Sequence, residues 1–215
     1  MNAPAQAPIR RATLADVPWI ARLFAAAFAR DPVFDWLARP GNSRSYALQK
    51  FFAWILESRT LPHGETWITA DGLAAAAWIP PYAQVMPTRL TEDLRMVPVI
   101  LRLTGLTRLF RGASMAAAME HAHPEAPYFY LAFIGVAPRA QGKGIGTALL
   151  RQTLARADAA GTNAYLENSN PRNFKLYERA GFAVSREIRA CADAPPVYAM
   201  WRPARPRQGS STMSQ

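Results

Sequence analysis

Hydrophobic positions along this chain recur with two periods, and the switches between them predict an alternation of strands and helices. Ile9 to Ala12 reads as a first strand. Thr13 opens a helix, with Asp16 three residues on in a capping-box arrangement. Val17, Ile20, Phe24, Ala27 and Phe28 follow at helical spacing, and Asp31-Pro32 ends the run. A second helical pattern extends from Ser43 to Arg59, with Leu48, Phe52 and Ile55 on one side. Thr66 to Thr69 and Leu73 to Ile79 read as strands joined by Asp71-Gly72, a strong hairpin signal. Pro80-Pro81 stops the second of them.

Pro87 to Ala122 is helical in pattern, with a break near Thr104-Gly105, and reads as helices packed on the sheet. Tyr128 to Val136 is a β-prone run. The helix after it places Leu150, Leu154 and Ala157 at core spacing and ends at Gly161. Tyr165 to Glu167 is a strand, and Asn170 then reads as an N-cap with Pro171 at the first helical position. That helix ends at Gly181, and strands follow near Phe182 to Glu187 and Val197 to Trp201. The pattern gives a flexible leader over 1–7, one domain over 8–202 and a disordered Pro-, Arg- and Ser-rich tail over 203–215. No internal repeat is present.

The most informative stretch lies between the run ending at Val136 and the helix after it. Gly142, Gly144 and Gly146 alternate there within Gln141-Gly-Lys-Gly-Ile-Gly-Thr147. Free amides at a helix start carry partial positive charge and bind phosphate oxygens. Glycines let an anion approach the main chain. The nucleoside-triphosphate loop fails here, because Lys143 sits between glycines with no Ser or Thr directly after it. The dinucleotide fingerprint lacks its third glycine, since Thr147 stands there. Glu167 does fall about 20 residues on, where that fold wants a ribose ligand, so a nicotinamide-dependent reductase stays as a lesser alternative.

The pattern Gln141-x-x-Gly144-x-Gly146 resembles the acetyl-CoA loop of the GCN5-related N-acetyltransferases (GNAT). Tyr165-Leu-Glu-Asn-Ser-Asn-Pro-Arg-Asn-Phe-Lys-Leu-Tyr-Glu-Arg-Ala-Gly-Phe182 resembles that family's next strand and helix, ending in Leu-Tyr-x-x-x-Gly-Phe. Within the family these segments look most like puromycin N-acetyltransferase-like members. The resemblance is strong from Phe129 to Phe182 and slight between Pro81 and Pro127. It implies a single α/β domain: a mixed, largely antiparallel sheet splayed between the fourth and fifth strands, with helices on both faces. It also implies acetyl-CoA as co-substrate, no metal, and N-acetyl transfer to a small primary amine by direct attack in a ternary complex. A non-catalytic acetyl-CoA sensor is the other alternative.

Acetyl transfer needs a polarised thioester, a neutral amine and a proton for the departing thiolate. Backbone amides of Ile134-Gly135-Val136 are the candidates for the first task, since in the family this strand pairs with the pantetheine arm; Gly135 leaves room for it. Gln141, Gly142, Lys143, Gly144, Ile145, Gly146 and Thr147 are the candidate pyrophosphate residues. Asn170, Asn173 and Tyr177 share a helix face by spacing. Tyr177 matches the family residue that protonates sulfur, and Asn173 and Asn170 are candidates for the cofactor arm, with capping as the plainer role of Asn170. Some family members carry a basic Glu on the phosphate-side strand, where Tyr130 stands here. Glu167 is the first candidate base; His121 and His123 have the right intrinsic pKa but read as surface or loop residues. Trp36, Trp54, Trp78 and Tyr82 read as core residues rather than an aromatic pocket.

Composition changes this picture little. Half the residues are hydrophobic, as in ordinary globular proteins. The net charge of +10 suits an anionic cofactor. No basic helix with base-reading side chains is present, which argues against nucleic acid. Cys191, the only cysteine, allows no internal disulfide and reads as incidental. The start lacks the apolar core of a signal peptide, and the greasiest run, Val97 to Phe110, is interrupted by Arg102 and Arg108. The expected setting is cytoplasmic, with no membrane partner; a homodimer is left open.

Overall fold

The computed structural model describes residues 7–83 and 90–205. Seven strands form one sheet in the order β1-β2-β3-β4-β5-β7-β6. They are β1 Ile9–Arg11, β2 Thr66–Thr69, β3 Ala74–Ile79, β4 Tyr128–Val136, β5 Asn163–Asn168, β6 Ala183–Ile188 and β7 Val197–Arg202. All neighbouring pairs are antiparallel except β4 and β5. The helices are α1 Val17–Ala27, α2 Pro32–Leu37, α3 Arg44–Ile55, α4 Leu90–Thr104, α5 Leu109–Ala122, α6 Ile145–Ala160 and α7 Phe174–Arg179.

β3 explains how two helical layers close on one sheet. Its Ala74-Ala-Ala-Ala77 run is fully buried on both faces. Ala75 and Ala77 pack with Phe24 of α1 and Leu48 and Phe52 of α3. Ala74 and Ala76 pack with Leu149, Leu150 and Leu154 of α6. Small side chains at alternate positions let both layers approach closely. Further along the first layer, α2 and α5 cover Tyr130 and Tyr165 through Val33 and Met115.

Two features of β4 open the sheet. Its pairing with β5 stops at Leu131–Leu166, although β4 continues to Val136 and β5 to Asn168. The strands splay from that point. Against β3 the register slips, so that Leu131 faces Trp78, Phe133 faces Ala77, and Ala132 is the extra residue of a bulge. Ile134 to Val136 then bond to β3 on one side, and among the described residues their other edge has no strand partner.

Several local details differ from the periodicity. Asp31 does not merely end a helix. α1 stops at Ala27, and Asp31 caps α2, its Oδ1 accepting from Val33 N at 3.0 Å and Phe34 N at 3.2 Å, with Pro32 at the first helical position. The helix expected to reach Arg59 leaves the α form at Ile55 and passes into a π turn, Leu56–Thr60, where Ser58 Oγ donates to Trp54 O. The break near Gly105 is present between α4 and α5. Residues 87–89, most of the expected leader and the tail from 206 lie outside the described residues; Ala204 N donates to Asn163 Oδ1 at 3.0 Å.

Candidate active site

The splay and the start of α6 face a common cleft of about 870 Å³. Ile134, Gly135 and Val136 line it from β4, and Gln141, Gly142, Gly144, Ile145, Gly146 and Thr147 from the loop and the first turn of α6. Asn170, Asn173, Leu176 and Arg179 line it from the β5–α7 side, and Ala27, Phe28 and Asp31 from the end of α1. Eleven of the twelve candidate cofactor residues therefore meet in one space; Lys143 is not among the lining residues.

The loop geometry follows from its glycines. Gly142 and Gly144 both have left-handed φ, of 76° and 77°. Gly144 is the N-cap of α6 and has no side chain to satisfy the helix's first amides. Those donors stay available, with the positive end of the helix dipole behind them. Gln141 has a bracing part: its Nε2 donates to Val136 O at 3.1 Å, tying the loop to the end of β4. Asn170 Oδ1 caps Arg172 N at 3.1 Å, as the spacing predicts, while Asn173 lines the cleft.

Gly135 matters for another reason than space for a ligand arm. A Cβ there would meet Phe24 Cδ1 at 2.8 Å and Ala27 Cβ at 3.2 Å. The missing side chain lets α1 sit on β4. Gly135→Ala is therefore expected to lower stability by about 1–3 kcal/mol through overpacking. Chemical denaturation checks this, and an unchanged midpoint would show that α1 relaxes freely.

Tyr177 and Glu167 stand back from the cleft lining. Tyr177 is buried and packs against Phe182, and Leu176, one residue earlier, faces the cleft. Burial, and then the charge of Asp31, push its hydroxyl well above the usual phenol range. Glu167 is the first β5 residue past the last pair with β4. Its side chain is 2% exposed and closed in: Tyr130 Oη donates to Oε2 at 2.6 Å, and His123 Nε2 lies 2.9 Å from Oε1. His123 Nδ1 lies 2.6 Å from Tyr128 Oη. His123 is thus part of a buried chain and not a loose surface histidine. Burial and the Glu167 charge push Tyr128 up to about 12 and Tyr130 well above the usual phenol range, so both keep their protons.

Asp31 is the cleft residue that the sequence reading missed. It is buried, accepts from Ser169 Oγ besides its two backbone donors, and its carboxyl is pushed up from the usual range by burial. The Asp31-Pro32 pair reads in sequence only as the end of a helix, and nothing local signals a cap that faces the splay. The aromatic candidates do not form a pocket: Trp78 is buried in the sheet, Tyr82 is exposed, and Trp36 Nε1 donates to Asp193 at 3.1 Å. Cys191 Sγ donates to Asp193 Oδ1, which raises the thiol's pKa, and Cys191 does not line the cleft. Among the described residues, no helix is long and apolar enough to cross a membrane.

Comparison with known proteins agrees with this geometry. The sequence model of the acetyltransferase (GNAT) family matches residues 102–182. A structure of histone acetyltransferase HPA2 and related acetyltransferase from Corynebacterium glutamicum is similar with a TM-score of 0.71 and 27% identity, over 94% of this chain and 99% of that one. Arylalkylamine N-acetyltransferase 2 from Aedes aegypti shares the fold at a TM-score of 0.62 and 12% identity, over 92% and 99% of the two chains. Polyamine N-acetyltransferase from Drosophila melanogaster does so at 0.57 and 14%, over 91% and 99%. Residues 102–182 thus match the acetyltransferase (GNAT) family, and the splayed β4–β5 pair and the glycine loop lie on a fold that the chain shares with these acetyltransferases.

Proposed function

We propose that this protein transfers an acetyl group from acetyl-CoA to a primary amine of a small molecule, by direct attack in a ternary complex. The observation that carries the reading is the meeting, in one cleft, of the free β4 edge and the uncapped amides of α6. The edge at Ile134 to Val136 offers main-chain groups to an amide-bearing arm, as an added strand would use them. The amides behind Gly144 offer a seat for a pyrophosphate. Neighbours named for agmatine, polyamine and arylalkylamine acetylation support a small amine as acceptor. The likeness to puromycin N-acetyltransferase-like proteins rests on the two motifs alone, so the acceptor is left as a class. A cytoplasmic setting is part of the same proposal.

The chain's own residues divide the work. Backbone amides of β4 polarise the thioester carbonyl. Tyr177 is the proton donor to the departing sulfur, with a hydroxyl kept protonated by burial. Asp31, at the cleft wall with a raised pKa, takes the amine's proton directly or through a water. Glu167 is the second candidate base. Its carboxylate rests against Tyr130, the position where some family members carry their Glu, but unlike Asp31 it does not line the cleft. Substitution separates them. Asp31→Asn is expected to lower kcat about a hundredfold and to remove an acidic limb of the pH–rate profile that lies above the ordinary carboxylate value. Glu167→Gln is expected to do much less. The reverse order would make Glu167 the base.

Isothermal titration tests the cofactor half of the reading. Acetyl-CoA is expected to bind and NADH not. Binding of NADH with no response to acetyl-CoA would favour the reductase alternative.

A further inference from the structure

The greasy run from Val97 to Phe110 is not spent in the core. Five of the nine large apolar side chains that stand exposed among the described residues fall on this hairpin of helices: Leu94, Val97, Leu106, Leu109 and Phe110. On α4, Leu94, Val97, Pro98 and Arg102 recur at steps of three and four on the solvent side, while Leu103 and Thr104 bury the other side. The stripe leads to the turn, where Leu106 is 81% and Phe110 76% exposed. Single exposed apolar residues are ordinary on a protein surface, but a cluster of them marks a contact.

The turn is held firmly from beneath. Gly105 reverses the chain with a φ of 64°. Thr104 Oγ1 lies 3.0 Å from Ile100 O and 2.9 Å from Gly105 O. Arg108 Nη1 donates to Ala38 O at 2.7 Å, which ties the start of α5 to the end of α2. The base of the corner is pinned while Leu106 and Phe110 project from it, so the apolar surface is convex.

Charge decides what this corner meets. Arg39, Lys50 and Arg102 are exposed beside it. Lys50 Nζ and the Arg102 guanidinium lie over the Tyr46 ring at 5.3 and 5.5 Å, and Arg39 N donates to Leu103 O at 2.9 Å. None of the three cations is in an ion pair among the described residues. The carboxylates tied to this corner, Asp35 and Asp193, are held by Arg44 at 2.6 Å and by Arg111 at 3.0 Å. A second copy docked symmetrically here would set the cations against their own kind. A convex apolar tip beside free cations matches the surface of an anionic bilayer instead. Apolar side chains enter the acyl boundary there, and long basic ones reach the headgroup phosphates.

We infer that the α4–α5 corner docks this protein on an anionic membrane surface, with Leu106 and Phe110 inserted and Arg39, Lys50 and Arg102 against the headgroups. Attachment of this kind comes from one side and needs no spanning helix, and it replaces the expectation of no membrane partner. None of these residues lines the cleft, so the inference stands apart from the acetyl-CoA reading.

Co-sedimentation of the full-length protein with vesicles tests it, using phosphatidylcholine alone and phosphatidylcholine mixed with phosphatidylglycerol. The chain carries a net charge of +10, so binding to anionic vesicles alone would not locate the surface. The Leu106→Ser, Phe110→Ser double variant does locate it, because it leaves the charge unchanged. Exposed positions tolerate such changes, and a thermal melt checks the fold. The wild type is expected to bind the mixed vesicles about tenfold or more tightly than phosphatidylcholine, and less tightly as salt rises. The double variant is expected to lose about tenfold or more on the mixed vesicles. Arg39→Gln, Lys50→Gln, Arg102→Gln together should bring the preference for them to within about threefold. Equal wild-type binding to the two vesicles, or none to either, overturns the inference. So does a double variant that binds as the wild type does, because general charge would then carry the attachment. Self-association that the double variant abolishes, without vesicle binding, overturns it as well and makes the corner a contact between copies.

Discussion

Gly144→Asp is expected to abolish acetyl-CoA binding while the fold survives. Gly144 sits at the N-cap of α6 with φ of 77° and lines the cleft. Asp tolerates the left-handed region better than most side chains and is a good N-cap, so the helix keeps its start. Its carboxylate would then accept from the amides meant for the cofactor's phosphates and repel them as well. The expected loss is about a hundredfold or more in affinity. Gly144→Ala is the control: it adds backbone strain of about 1–2 kcal/mol but no charge, and should weaken binding less. A folded Gly144→Asp protein with wild-type affinity would place the phosphates elsewhere.

Tyr177→Phe is expected to lower kcat by about 10²–10⁴-fold with a much smaller change in acetyl-CoA affinity. The substitution removes the hydroxyl and keeps the ring against Phe182. The sign of the pH dependence follows from the site. An ordinary phenol titrates near about 10. Burial and Asp31 raise this one, so the proton stays on the oxygen to higher pH. The wild-type enzyme should thus show no basic limb from this residue near pH 10, and the variant's loss should be flat across that range. Full kcat in Tyr177→Phe would mean that the thiolate leaves without help, and the mechanism would rest on positioning.

What the sequence made legible was local. The glycine loop, the capped start at Asn170 and the Asp71-Gly72 turn are each specified by a few consecutive residues, and the structure has them where the spacing puts them. The strand ending at Val136 and the helix ending before Gly161 follow from period and a left-handed stop. What remained hidden depends on which faces meet across the sheet. Asp31 and Ser169 are separated by 138 positions, and their bond exists only because α2 is laid over the end of β5. The Glu167–His123 approach arises in the same way, from a loop residue before β4 meeting the first unpaired residue of β5. Gly135 was legible as a needed glycine but not as the seat of Phe24, since α1 lies more than a hundred residues earlier. The bulge at Ala132 left no mark on the apolar run that contains it.

The measurement that bears most directly on the proposed activity is thiol release from acetyl-CoA in the presence of a panel of small primary amines, with the acetylated amine identified by mass spectrometry. Acetyl transfer through this cleft predicts that at least one amine accelerates release, that the matching N-acetyl product accumulates in step with the thiol, and that Gly144→Asp removes both signals. Tight acetyl-CoA binding with a rate of thiol release that no amine raises would contradict it, and the protein would then be an acetyl-CoA sensor on an acyltransferase fold.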